Sequence, residues 1–223
     1  MPMPYKKMFV MWPPRPEGSA DPKTLDKYPG WWAQRKFNGT RSLVFLDPDG
    51  NVHLRTRHRE EHRAYQLTNA MEAAIKSLLD RGDGIFMFEP GKWQVFDAEL
   101  MHSKTSGVKD RLVLFDILVH NGSYLTGTTC RARYEILCEG LGMPDTSETE
   151  TGRSIALKVN ENVWLAEVFE ETFADYFTEL TDMDEIEGLV LKDPDGVLKP
   201  GVSEKNNSEW LVRVRKPHKN YRH

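Results

Sequence analysis

Lys36-Phe37-Asn38-Gly39-Thr40-Arg41 lies between two apolar segments, Trp31-Trp32-Ala33 before it and Leu43-Val44-Phe45-Leu46 after it. The glycine predicts a turn that holds the lysine, and the second apolar run reads as a strand. A lysine in such a turn is ordinarily a solvated surface charge. It becomes a nucleophile where the fold gathers other cations and carboxylates around it. The rest of the chain decides between the two.

The chain has 223 residues, enough for one large domain with a substantial core or two small ones. No linker divides it, so one domain is the simplest reading. No apolar run approaches ~18 residues, which argues against a membrane helix. Met1-Pro2-Met3-Pro4-Tyr5-Lys6-Lys7 lacks the apolar core of a secretory signal. Cys130 and Cys138 fall in a stretch read as helix, separated by ~12 Å of rise. A disulfide needs Cα atoms within ~7 Å, so these read as free thiols in a reducing cytoplasm.

The net charge of −4 conceals an asymmetry. Residues 145–187 are rich in carboxylates, whereas Arg213, Arg215, Lys216, Lys219 and Arg222 crowd the C-terminal stretch. Arg55, Arg57, Arg59 and Arg63 form a second basic cluster. Such clusters bind polyanions or serve as plain solvated faces, and charge alone does not separate the two.

Periodicity and turn signals predict an α+β chain rich in antiparallel hairpins. Residues 41–46 and 52–56 read as strands joined by Asp47-Pro48-Asp49-Gly50. Thr68 caps a helix to about Leu79. Residues 93–100 and 111–119 read as strands, Arg131 to about Leu141 as a helix, and Gly142 to Gly152 as a loop. Ile155 to Val159 reads as a short strand. Asn160 is expected to cap a long helix to about Leu180, burying Val163, Phe169, Phe173, Tyr176 and Phe177. Residues 186–192 and 210–215 complete the strands. Two tempting signals fail on ligand count. The Asp-Pro-Asp-Gly segments at 47–50 and 193–196 lack the rest of a calcium loop. His58 and His62 lack a third ligand.

Other segments give Lys36 its company. Phe96-Asp97-Ala98-Glu99-Leu100 puts two carboxylates on one strand face, since side chains alternate with period two. Leu114-Phe115-Asp116-Ile117-Leu118 carries an aromatic on another strand. Ile186-Glu187-Gly188-Leu189-Val190-Leu191-Lys192 begins with a carboxylate and ends with a cation. Trp210 to Lys216 puts Arg213 and Arg215 on one face.

In this order the set resembles the covalent nucleotidyltransferase superfamily of ATP-dependent DNA ligases, RNA ligases and mRNA capping enzymes. Lys36 to Gly39 is similar to the KxDG nucleophile motif and Leu54 to Arg57 to the strand segment that follows it. Phe96 to Leu100 is similar to the DGEL-type motif, Leu114 to Leu118 to the aromatic segment, and Glu187 to Lys192 to the EGLVxK motif. Arg213-Val214-Arg215 occupies the place of the KxK motif. The likeness runs from about Trp31 to Lys216 and is nearest the adenylation domain of DNA ligases.

The resemblance implies a nucleotidyltransferase fold with antiparallel sheets, flanking helices and the nucleotide site between them. It implies that Lys36 attacks the α-phosphorus of ATP and carries AMP. An ammonium cannot attack, so its ordinary pKa of about 10.4 must fall. Arg41, Lys192, Arg213 and Arg215 are the expected neighbouring cations. Glu99 and Glu187 are the expected Mg²⁺ donors, with the ribose hydroxyls as another role for both. Phe115 would stack on adenine, Gln34 would bond the base edge, and Arg57 would reach the ribose or substrate. Gly39 would let the backbone approach the nucleotide. The implied partner is a nicked duplex, DNA by preference with RNA or hybrid open, sealed by a cytoplasmic monomer.

The sequence also departs from the family pattern. Asn38 stands for the usual Asp, arginines stand for the KxK lysines, and Lys216 leaves that register ambiguous by one residue. Residues 1–223 are expected to be one nucleotidyltransferase domain without the oligonucleotide-binding domain that usually follows. The enzymatic alternative is an RNA or hybrid ligase or a capping-type guanylyltransferase. The non-enzymatic alternative is a ligase-like nucleic-acid binder.

Overall fold

The computed structural model describes residues 11–82, 84–105, 107–142, 154–170 and 173–217. Eleven strands and three α-helices follow in order. The strands are β1 (Arg15–Ala20), β2 (Trp32–Phe37), β3 (Thr40–Leu46), β4 (Val52–Thr56), β5 (Gln94–Met101), β6 (Arg111–His120), β7 (Ser123–Tyr124), β8 (Leu157–Lys158), β9 (Val163–Leu165), β10 (Ile186–Lys192) and β11 (Asn207–Arg215). The helices are α1 (Asn69–Lys76), α2 (Cys130–Gly140) and α3 (Phe177–Thr181).

Both Asp-Pro-Asp-Gly segments form turns. Asp47 Oδ1 accepts from Asn51 N at 2.7 Å and closes the β3–β4 hairpin, while Gly196 N donates to Asp193 O at 3.0 Å. Thr68 and Thr129 cap α1 and α2, each hydroxyl accepting a backbone N–H at 3.2 Å. The first helix is shorter than expected, because Ser77–Asp80 tightens into a 3-10 turn.

The strands form a four-stranded sheet, ordered β1-β11-β10-β2, and a seven-stranded sheet, ordered β4-β3-β5-β6-β9-β8 with β7 beside β6. Most pairings are antiparallel, as expected, but β1/β11 and β6/β9 are parallel. The larger core lies on the seven-stranded sheet and includes Phe45, Met71, Ile75, Phe96, Ile117 and Leu137. A smaller one gathers Leu25, Phe173, Phe177, Leu189 and Val214 on the other sheet.

The long helix expected from Asn160 to Leu180 is absent. Asn160 Oδ1 accepts from Asn162 N and Val163 N at 3.0 and 2.8 Å, so it makes a turn rather than a helix cap. Val163-Trp164-Leu165 then pairs with β6, where three large residues suit a pleated surface. The apolar residues were correctly read as buried, since Val163, Phe173 and Phe177 are core, but Tyr176 is half exposed. The strand expected over 155–159 shrinks to β8. The loop expected at 142–152 lies, from residue 143 onward, outside the described residues. Among the described residues no helix is long and apolar enough to cross a membrane.

Candidate active site

Lys36 lies on β2 itself, opposite Gly188 of β10, and the turn is Asn38-Gly39 beyond it. That two-residue connection carries the chain from the four-stranded sheet directly into β3 of the seven-stranded one. The two sheets therefore wall a cleft of about 520 Å³, a size typical of small-molecule sites. All ten residues expected at the site line it: Gln34, Lys36, Arg41, Arg57, Glu99, Phe115, Glu187, Lys192, Arg213 and Arg215.

Strand parity explains most of this. Gln34 and Lys36, Val190 and Lys192, and Leu211, Arg213 and Arg215 each alternate onto the cleft face. Glu187 has the wrong parity for that face of β10. A β-bulge between Ile186 and Gly188 corrects it, and Lys36 Nζ donates to Glu187 Oε2. Gly188 sits at φ 149°, and a Cβ there would fall 2.0 Å from Val214 O, so the bulge requires glycine. Lys216 Nζ donates to Thr181 O and Met183 O at 3.0 and 2.7 Å and is not part of the wall. The register is thus Arg213 and Arg215.

On the opposite wall Arg41 pairs with Asp97, its Nε donating to Oδ1 at 2.8 Å and its Nη2 to Oδ2. Arg41 also stands 5.5 Å from the Phe115 ring centroid, and Lys192 Nζ stands 5.3 Å from it. Lys192 Nζ donates to Phe115 O at 3.1 Å, tying the two sheets together. Beside Phe115, burial pushes Asp116 up, but the Arg133 guanidinium outweighs it and holds the carboxyl below its usual range. Arg133 is fully buried, so the basic Arg131-Ala132-Arg133 run is split between an inner ion pair and a surface cation. Burial raises Glu99 to about 7, against the pull of Lys36, Lys104 and Arg41.

Gln34 is almost fully buried. Its Nε2 donates to Ala166 O at 3.3 Å, and its Oε1 has no partner. An orphaned buried acceptor is costly. Here it is aimed into the cleft, where the exocyclic amine of adenine would satisfy it. Among the described residues no three His, Cys, Asp or Glu side chains converge as a closed metal cage. Glu99 and Glu187 share the cleft as two open carboxylates, which suits Mg²⁺ completed by phosphate and water.

Two expectations change. Asn38 turns to the lead-in of β10, its N donating to Glu185 O at 2.7 Å, and is not part of the wall. Gly39 is crowded by β5, where a Cβ would lie 2.6 Å from Leu100 O. Its need for glycine therefore comes from sheet packing. Sequence reasoning missed Asp97 as the anchor of Arg41, although its shared face with Glu99 was the signal. It also missed Lys104, whose Nζ donates to Gly39 O, and Arg15. Neither of these carries a local pattern.

The sequence model of the ATP dependent DNA ligase domain matches residues 19–211. No curated protein sequence matches the chain. Solved structures that share the fold include Pmar-Lig_PreS3, at 16% identity and TM-score 0.59, over 93% of this chain and 46% of that one. They include mycobacterial DNA ligase D complexed with ATP and MES, at 18% identity and TM-score 0.55, over 92% and 60%. They also include the ATP-dependent DNA ligase from bacteriophage T7 in complex with ATP, at 14% identity and TM-score 0.57, over 92% and 68%. The chain thus spans about half the length of the first of these. With the family model matching most of its length, the chain belongs to the ATP-dependent DNA ligase domain family.

Proposed function

We propose that this chain is the nucleotidyl-transferring unit of an ATP-dependent polynucleotide ligase that prefers nicked DNA. The observation that carries the reading is Lys36 in a cleft shared with Glu99, Glu187, Lys192, Arg213 and Arg215. Lys36 must first lose a proton, and the carboxylate hydrogen-bonded to it is Glu187. The free amine then attacks the α-phosphorus of ATP, the bond to the β-phosphate oxygen breaks, and pyrophosphate leaves. AMP next passes to the 5′-phosphate at a nick, and the 3′-hydroxyl displaces it to close the strand. Lys192, Arg213 and Arg215 stabilise charge on the phosphoryl oxygens as it develops. Glu99 and Glu187 would hold Mg²⁺, which neutralises the same oxygens.

Gln34 supports ATP over GTP. Its free Oε1 is an acceptor, matched to the amine of adenine and mismatched to the carbonyl of guanine. Phe115 supplies the stacking surface and Arg57 a cation for ribose or substrate. We further propose that the two sheets work as one nucleotidyltransferase domain and as a monomer, since both walls of the cleft come from one chain. The free thiols Cys130 and Cys138 fit a reducing cytoplasm.

The test is incubation with Mg²⁺ and labelled ATP or labelled GTP. A covalent adduct from ATP, lost in Lys36→Ala, is expected. No adduct with either nucleotide, and none in the protein as purified, would overturn the enzymatic reading. Nicked DNA, RNA and hybrid duplexes then rank the substrates.

A further inference from the structure

Most arginines in the molecule have a carboxylate partner. Arg35 pairs with Glu167, Arg41 with Asp97, Arg55 with Glu61, Arg131 with Glu170 and Arg133 with Asp116. At the mouth of the cleft the pattern breaks. Among the described residues Arg15, Arg57, Arg213 and Arg215 line the cleft without a carboxylate partner for their guanidinium groups. Arg213 and Arg215 belong to the nucleotide site proposed above. Arg15 and Arg57 also line a small crevice just beside it, together with His58 and Glu204.

That crevice is assembled from three separate segments. Arg15 opens β1, Arg57 and His58 form the turn after β4, and Glu204 comes from the loop before β11. The segments are held in place by contacts that do not use the crevice cations. Trp12 N donates to Gly201 O at 2.8 Å, Asn206 Nδ2 donates to Trp12 O at 2.7 Å, and the Arg59 guanidinium lies 3.9 Å from the Trp12 ring centroid. Inside it, His58 Nδ1 lies 2.6 Å from Glu204 Oε1, Arg57 Nε donates to His58 Nε2 at 3.0 Å, and Arg15 Nη1 donates to Glu204 O at 3.4 Å. One carboxylate, more than half exposed, is thus the sole acidic side chain in a cationic seat that opens onto the cleft.

We propose that Arg15, Arg57 and His58 form a phosphate-binding seat at the cleft mouth, and that the Glu204 carboxylate is its intramolecular plug. A phosphate brings the same hydrogen-bond acceptors as Glu204 and more charge, and Arg15 and Arg57 offer it planar donor forks. The plug competes by mass action, so the apparent affinity of a ligand falls by the fraction of molecules in which the seat is free. The phosphate could belong to the polyphosphate of a nucleotide or to a nucleic-acid backbone, and this inference rests on the proposed function only for the latter source.

Binding alone tests it, read by calorimetry with inorganic tripolyphosphate and by fluorescence anisotropy with a 5′-phosphorylated nicked DNA duplex. Glu204→Gln, an exposed substitution, should tighten binding of at least one probe about two- to fivefold, the range spanned by an exposed ion pair. Adding Arg15→Met should cancel that gain. A gain with tripolyphosphate alone assigns the seat to a nucleotide, and a gain with the duplex alone assigns it to nucleic acid. Unchanged binding of both probes by Glu204→Gln, or a gain that survives Arg15→Met, overturns the proposal. Because no chemistry is read, loss of the Lys36 adduct would leave this result intact.

Discussion

Glu187 reaches Lys36 across a β-bulge. Regular pairing of β2 with β10 would aim residue 187 away from the cleft, and the extra residue between Ile186 and Gly188 turns its carboxylate onto the lysine. Four of the testable consequences of this site follow from individual contacts.

Glu187→Ala should slow formation of the nucleotide adduct about a hundredfold and raise the Mg²⁺ concentration needed for half-maximal rate. Single-turnover labelling at several Mg²⁺ concentrations measures both. Full activity would remove Glu187 from the site.

Gly188→Ala should destabilise the whole four-stranded sheet, because the new Cβ meets Val214 O at 2.0 Å and φ is 149°. A loss of at least about 2 kcal/mol is expected from thermal or denaturant unfolding. An unchanged midpoint would mean that the bulge is not needed to accommodate glycine.

Glu99 gives stability a pH dependence. Burial first, opposed by Lys36, Lys104 and Arg41, raises its folded value to about 7 from an ordinary 4.5. The folded state therefore binds the proton more tightly than the unfolded chain. This contribution is fully present below about pH 4.5 and is lost as pH rises through about 7. Glu99→Gln cannot ionise, so it should gain on the wild type across that window, by on the order of 3 kcal/mol at pH 8. Melting curves from pH 5 to 8 report the difference, and parallel curves would refute it.

Gln34→Leu should separate stability from recognition. It removes the orphaned Oε1, while Tyr134 Oη still donates to Ala166 O at 2.9 Å. Stability without nucleotide should hold or rise. The preference for ATP over GTP in adduct formation should fall about tenfold or more. Unaltered selectivity would take Gln34 away from the base.

Much of the site was legible because its residues sit in strands whose parity can be counted. Lys192, Arg213 and Arg215 reach the cleft by simple alternation, and Asp47 and Asp193 head the turns their local chemistry predicts. The segment after Asn160 was misread because Val163, Phe169, Phe173 and Phe177 satisfy a helical period while a free edge of β6 captures the first of them. A sequence window does not contain that edge.

By itself, the sequence determined the order of the motifs, the lysine available for nucleotidyl transfer and the strands that present its neighbours. These are local properties of composition and period. Only the tertiary structure decided that Glu187 changes face at a bulge, that Gln34 keeps an acceptor open, and that Gly39 is required by β5. It alone brought Arg15, Arg57, His58 and Glu204 together. Each of those depends on partners far away along the chain, and long-range pairing, rather than side-chain periodicity, sets which groups meet.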